Sequence, residues 1–357
     1  MTGRTRTIAW LLSAAIGTVV TASPTAQATD GPPVIVAGGS TSLPALSVPF
    51  IDYQRLIVVG DPNGTPPDSP DLHVDANVPT SPLAGIGSIQ NDLGNGMAYL
   101  GSGALIDRLH VLTAAHLFDT NGDGHNDFAL SKTSFILNSN GDYTAAISAS
   151  AVHIHPDFTG FNNPSVNDDL AIITLSQPVP ADVPVYGLWR QPVAQGQTVS
   201  QVGYGRSGNG VTGYTTSASW TVKRIGSNQM DDGGLDDEGS GAIEVWYADF
   251  DDPTGTGHNF LGGESLGNTI ETILGPGDSG GPSSVSSNGA LYIVGNDTFV
   301  GRFDLGPDPP YFDSGMGGML VYPYLNWIDS VVPEPATLTL LALGGLAVLR
   351  RRMKSRR

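Results

Sequence analysis

Residues 275–282 read GPGDSGGP, a run in which glycine and proline surround one aspartate and one serine. Clusters of Gly and Pro punctuate chains as turns, and this chain holds 47 Gly and 26 Pro, so a plain turn is one reading. The other is a nucleophile. A serine held on a glycine turn can aim its hydroxyl and the neighbouring backbone N–H groups at one point, which acyl transfer requires. What lies upstream has to decide between the two.

A serine hydroxyl needs a base, and histidine has the side chain whose ordinary pKa suits that task near neutrality. Of the seven histidines, His116 closes the run HVLTAAH, an apolar strand that opens into two small alanines and leaves room for close approach. Such a base needs a carboxylate to hold its tautomer and stabilise the imidazolium. NDDLAII, residues 167–173, offers Asp168 and Asp169 at the mouth of an apolar strand. Taken singly, His116 reads as a partly buried structural histidine and the aspartates as strand caps.

Taken together, TAAH (113–116), DLA (169–171) and GDSGGP (277–282) resemble the three motif blocks of the trypsin-like serine peptidases, in that family's order of His, Asp and Ser. Smaller matches are GSGALI (101–106), His155-Pro156, Gly203-Tyr204-Gly205 and YLNWI (324–328), so the resemblance runs from Ser81 to Ser330. It implies a triad of His116, Asp169 and Ser279, with the backbone N–H groups of Gly277 and Ser279 as the oxyanion hole. The activity implied is endopeptidase cleavage of protein or peptide substrates, with no required cofactor. The family's spacing places Ile273 at the base of the substrate pocket and Thr298 and Phe299 on its wall, an apolar site. Glu271 lies two positions away, and a small shift of the loop would turn the pocket towards Lys or Arg.

Two features depart from the family. The disulfides are missing, since the chain has no cysteine. In the family a new Ile-Val-Gly-Gly terminus pairs with the aspartate before the serine, here Asp278. The nearest candidate, Arg55-Leu56-Ile57-Val58-Val59-Gly60, lies farther before the Pro82 strand than the pattern expects, which leaves the partner of Asp278 open.

Secondary-structure signals agree with an all-β chain. Short β-rich runs recur at Ala84–Ile89, Ala104–Thr113, Ala145–His155, Leu170–Leu175, Thr198–Tyr204, Ser217–Ile225, Ile243–Ala248 and Leu291–Phe299, separated by Gly, Asn, Asp and Pro. These runs read as barrels or a sandwich. The resemblance implies two six-stranded antiparallel β-barrels packed face to face, closed by a short C-terminal helix over Tyr324–Val331. The peptidase domain is expected over 81–331. Residues 29–80, rich in Pro, Gly and Ser, read as an N-terminal arm or propeptide.

Both ends carry addresses. Residues 1–28 run from Arg4 and Arg6 through IAWLLSAAIGTVV to Ala26-Gln27-Ala28, the succession of a secretory signal peptide. Residues 336–349, ATLTLLALGGLAVL, precede a cluster of arginines that would stay on the cytoplasmic side, as in a C-terminal membrane anchor. With Pro333-Glu334-Pro335 before it, the segment 332–357 resembles the PEP-CTERM sorting signal of Gram-negative bacteria. That resemblance implies an exosortase-type processing enzyme as a partner, and a place outside the inner membrane, secreted or at the cell surface and matrix. Two of the 16 Lys and Arg lie in the leader and six in the tail, leaving eight against 34 Asp and Glu. Such a surface argues against nucleic acid as a partner.

An insertion, DTNGDGHND (119–127), alternates oxygen-bearing side chains around Gly122 and Gly124. It reads as a short calcium loop with Asp119, Asn121, Asp123 and Asp127 as ligands, or as an Asx-rich turn. His153 and His155 share a strand face but lack a third zinc ligand. The acidic runs 231–238 and 249–252 read as solvated loops. A second function class stays open beside the peptidase, a surface matrix or adhesion protein that keeps the fold and little activity.

Overall fold

The computed structural model describes residues 19–21 and 57–332, apart from 95, 140–141, 161–165, 258 and 304–305. Apart from Val19–Thr21, a short strand antiparallel to residues 97–99, the expected signal peptide, the stretch 29–56 and the sorting tail from Pro333 lie outside the described residues.

Six antiparallel strands form the first half: β1 (Ile86–Gly94), β2 (Met97–Leu105), β3 (His110–Thr113), β4 (Thr133–Ser139), β5 (Asp142–Ile154) and β6 (Ala171–Leu175). Their order is β2-β1-β4-β5-β6-β3, and β3 pairs back onto β2 through Ala104 opposite Leu112, which closes the barrel. Closure leaves the ring no free edge to protect. Ile89, Leu105, Val111, Phe118, Phe135, Ile147 and Ile173 fill its interior. The expected run Ala104–Thr113 is two strands here, because Asp107 caps the turn between them by accepting the N–H groups of Leu109 and His110.

The second half holds two sheets around one core. One contains β7 (Gln197–Gly203), β8 (Arg224–Met230), β11 (Pro282–Ser287) and β12 (Ala290–Asn296), in the order β8-β7-β11-β12, with the short strand Gly187–Leu188 beyond β12. The other contains β9 (Asp232–Leu235), β10 (Ile243–Asp249), β13 (Phe299–Arg302) and β14 (Ser314–Met319), in the order β9-β10-β14-β13. A bridge between Gly295 and Leu320 links the sheets. Val199, Trp246, Phe250, Ile273, Val294 and Met316 form the core between them, consistent with the second barrel of the expectation.

The boundary expected at Ser81 moves upstream. Ile57–Val59 is a buried strand, parallel to Ser207–Asn209, and Val58 exchanges both backbone hydrogen bonds with Ile273. Asp68 receives the Gly60 N–H and the His73 ring, whose other nitrogen meets Ile225 O. Residues from 57 onward therefore belong to the folded body, because an apolar Ile-Val-Val strand has no better place than the second core. In the unit from Tyr324 on, α1 (Leu325–Val331) is a short helix, as expected.

Candidate active site

Strand β3 delivers His116. It runs into Ala114 and Ala115, both fully buried, and a single 3-10 turn over Ala115–Leu117 follows. Asp169 stands just ahead of β6, the neighbour of β3 in the barrel. Its carboxylate accepts twice from one residue, from the His116 backbone N–H at 2.8 Å and from His116 Nδ1 at 2.6 Å. This two-point grip fixes both ring orientation and tautomer: Nδ1 carries the proton and Nε2 is left as the basic nitrogen. Asp169 is completely buried. The chain reaches it through Asp168 in the left-handed region (φ 61), a conformation that Asp tolerates better than most residues.

Ser279 stands on a turn whose flanking glycines, Gly277 (φ 106) and Gly280 (φ 80), are both left-handed. At Gly280 even a methyl group would strike Thr113 Oγ1, at 2.0 Å. The glycine is what lets the second half's turn lie against the strand that carries His116. Ser102, on β2, clasps the same turn, its N–H donating to Ser279 O (2.8 Å) and its hydroxyl to Gly277 O (3.0 Å). Among the described residues no backbone carbonyl takes the N–H of Gly277 or Ser279.

The partner of Asp278 is now visible. Its carboxylate accepts the N–H groups of Gly205 (2.7 Å) and Gly275 (2.8 Å). Burial pushes its pKa up to about 6, against the pull of those two donors. Gly205 must lack a side chain, since a Cβ would lie 2.5 Å from both Asp278 N and Gly275 O. Another residue that sequence reasoning missed is Asn296, at the end of β12, whose side-chain amide donates to Asp169 O (3.0 Å) and Thr113 O (3.3 Å).

Beside Ser279 lies a small recess lined by Leu274, Pro276, Thr298, Phe299 and Val300. Thr298 and Phe299 are among its lining residues. Ile273 does not line it: pairing with Val58 turns Ile273 into the second core, and Leu274 takes its place. Glu271 is also away from the recess, buried, with its oxygens taken by the N–H groups of Asp251 and Leu266.

The loop 119–127 wraps around Asp119. That carboxylate accepts the N–H groups of Gly122 (2.6 Å) and Gly124 (2.8 Å), while Asp127 accepts from Thr120 and from Asn121 Nδ2, and Asp123 from the His125 N–H. In this arrangement the loop's carboxylates accept from its own backbone and side chains, as in Asx-type turns. His153 and His155 diverge, His153 meeting Thr174 Oγ1 and His155 facing Asp168 at 3.3 Å. The acidic runs are not solvated loops throughout, since Asp231 and Asp249 are buried and β9 and β10 occupy much of that stretch.

The trypsin family model matches residues 83–244, and the model of the PEP-CTERM protein-sorting motif matches residues 331–354. No curated protein matches the chain. The trypsin match takes in His116 and Asp169 and stops short of Ser279, whose turn is bound to the matched part through Ser102. The matched stretch 83–244 is thus similar to the trypsin family and lies in an all-β fold, and residues 331–354 behind it match the PEP-CTERM sorting motif.

Proposed function

We propose that this chain is an exported serine endopeptidase working through a His116–Asp169–Ser279 triad. The observation that carries the reading is the double hydrogen bond from His116 to Asp169 at the seam where the Ser279 turn is clasped. Ser279 Oγ attacks the scissile carbonyl carbon while His116 Nε2 takes its proton, and Asp169 stabilises the imidazolium. The oxyanion that develops receives the N–H groups of Gly277 and Ser279, each worth about 3 kcal/mol of transition-state stabilisation. His116 then hands the proton to the leaving amine, and water repeats the sequence to release the acyl group. The recess of Leu274, Phe299 and Val300 favours an apolar side chain at the cleaved residue. The tail directs the protein out of the cell and to an exosortase-type enzyme, its apolar segment holding the membrane until it is cut.

A fluorophosphonate probe tests this, because it reacts only with an activated serine. The secreted wild type should be labelled and should cleave peptides. Ser279→Ala should lose both while its unfolding midpoint stays within about 0.5 kcal/mol of wild type, as expected of a side chain that serves chemistry rather than the core. Labelling that survives in Ser279→Ala would move the nucleophile elsewhere, and an unlabelled, folded wild type would favour the surface-matrix reading.

A further inference from the structure

Away from the triad, β8 and β10 end side by side in a nest of carboxylates. Asp231 follows β8 and donates its N–H to Tyr247 O, while Asp249 closes β10. Asp249 is 1% exposed. Its Oδ2 is held by the N–H groups of Phe260 (2.7 Å) and Leu261 (3.0 Å), but its Oδ1 is buried with no hydrogen-bond partner. The Asp231 carboxyl group lies close to that of Asp249. A Cβ placed on Gly263 would sit 2.7 Å from Asp231 Oδ1 and 3.3 Å from Gln229 Oε1, so those two oxygens converge on one point of the loop. Buried Glu271 and half-buried Asp251 add charge behind them. No described Lys, Arg or His forms an ion pair with Asp231, Asp249, Asp251 or Glu271.

Four carboxylates gathered out of water with no cation beside them repel one another and lose their hydration. We propose that Asp231, Asp249 and Gln229 bind a divalent cation, calcium by the chemistry of the donors. Every donor is a hard oxygen, with no thiolate or imidazole among them, and strand ends facing an irregular loop suit the larger ion's flexible coordination better than magnesium's strict octahedron. The ion ties down the long excursion between Asp249 and Leu274, the end of which becomes a wall of the recess beside Ser279. The site is separate from the loop 119–127.

Calorimetric titration of the EDTA-treated secreted protein with calcium chloride tests it, together with melting curves in calcium and in EDTA. Wild type should bind calcium and melt higher with it. Asp231→Asn should bind at least ten-fold more weakly and lose the calcium-dependent rise, yet melt no lower than wild type in EDTA, since a repelled charge has been removed. Gln229→Ala, at a partly exposed position, should weaken binding without threatening the fold, and Asp123→Ala should titrate as wild type does. A wild type that takes up no calcium overturns the proposal and leaves a proton shared between Asp231 and Asp249. Unchanged binding in both Asp231→Asn and Gln229→Ala, or its loss in Asp123→Ala, overturns it as well.

Discussion

Asn296 touches neither the His116 ring nor Ser279, yet it holds the carbonyls of Thr113 and Asp169 while its own Oδ1 accepts the Met319 N–H. One amide side chain therefore fixes the backbone on either side of the His–Asp pair from the opposite half of the molecule. Asn296→Asp places a carboxylate against two carbonyl oxygens and beside a buried anion, and each group left without its partner costs about 1–3 kcal/mol. The expected outcome is a kcat at least ten-fold lower with KM little changed, read from steady-state kinetics, and a lower urea midpoint. A variant with wild-type kcat would remove Asn296 from any positioning role. The His116–Asp169 pair and the Ser279 turn drew attention in the sequence because they sit inside short motifs. Asn296, Ser102 and Thr113 did not, because their task is to bind backbone groups far away in the chain. Ile273 was misplaced for a related reason: a count back from Ser279 knows nothing of the Val58 strand that claims it.

Ile57–Val59 is the element whose role changed most. Ile57 lies across from Ser207, two residues beyond Gly205, whose N–H holds Asp278, and Ser207 Oγ donates to Ile57 O. Cleavage before Ile57 would free an ammonium group at the edge of the Asp278 turn, where burial otherwise raises the carboxyl pKa. Intact-mass and N-terminal sequencing of labelled, active material should therefore find Ile57 first. Active protein that retains residues ahead of Ile57 would show that the strand is structural only. Several strands were readable as β-rich runs, but β4, β9, β11 and β14 were not, and β8 was placed too early, over Ser217–Ile225. Pro282-Ser283-Ser284 and Gly315-Met316-Gly317-Gly318 carry the residues of turns. Packing explains the second case: a Cβ on Gly317 would meet Trp246 O at 2.4 Å, and one on Gly318 would meet Asn296 O at 1.8 Å. Crowded neighbours impose glycine there, and sequence periodicity does not register neighbours.

At the scale of the whole molecule the scarcity of positive charge matters, because Lys223 and Arg224 are both buried. Lys223 Nζ donates to Leu83 O with Asp75 at 3.8 Å and the Tyr204 ring below it, and Arg224 Nε donates to Pro70 O, so the pair fastens residues 70–83 to β8. Burial lowers the Lys223 pKa to about 7. Between that value and about 10.4 the unfolded chain keeps a proton that the folded chain has released, so this lysine makes stability rise with pH, by at most about 1.4 kcal/mol per unit. Urea midpoints at pH 7.5, 8.5 and 9.5 should show wild type gaining on Lys223→Met, and parallel profiles would refute the shift. Composition announced the acidic surface, while the burial of these two cations depends on where residues 70–83 come to rest. Assembly from two halves has one more effect. His116 and Asp169 ride on the first barrel and Ser279 on the second half, so the proposed triad exists only once both have folded and met. On that reading a chain still unfolded carries every part of the site and can harm nothing around it.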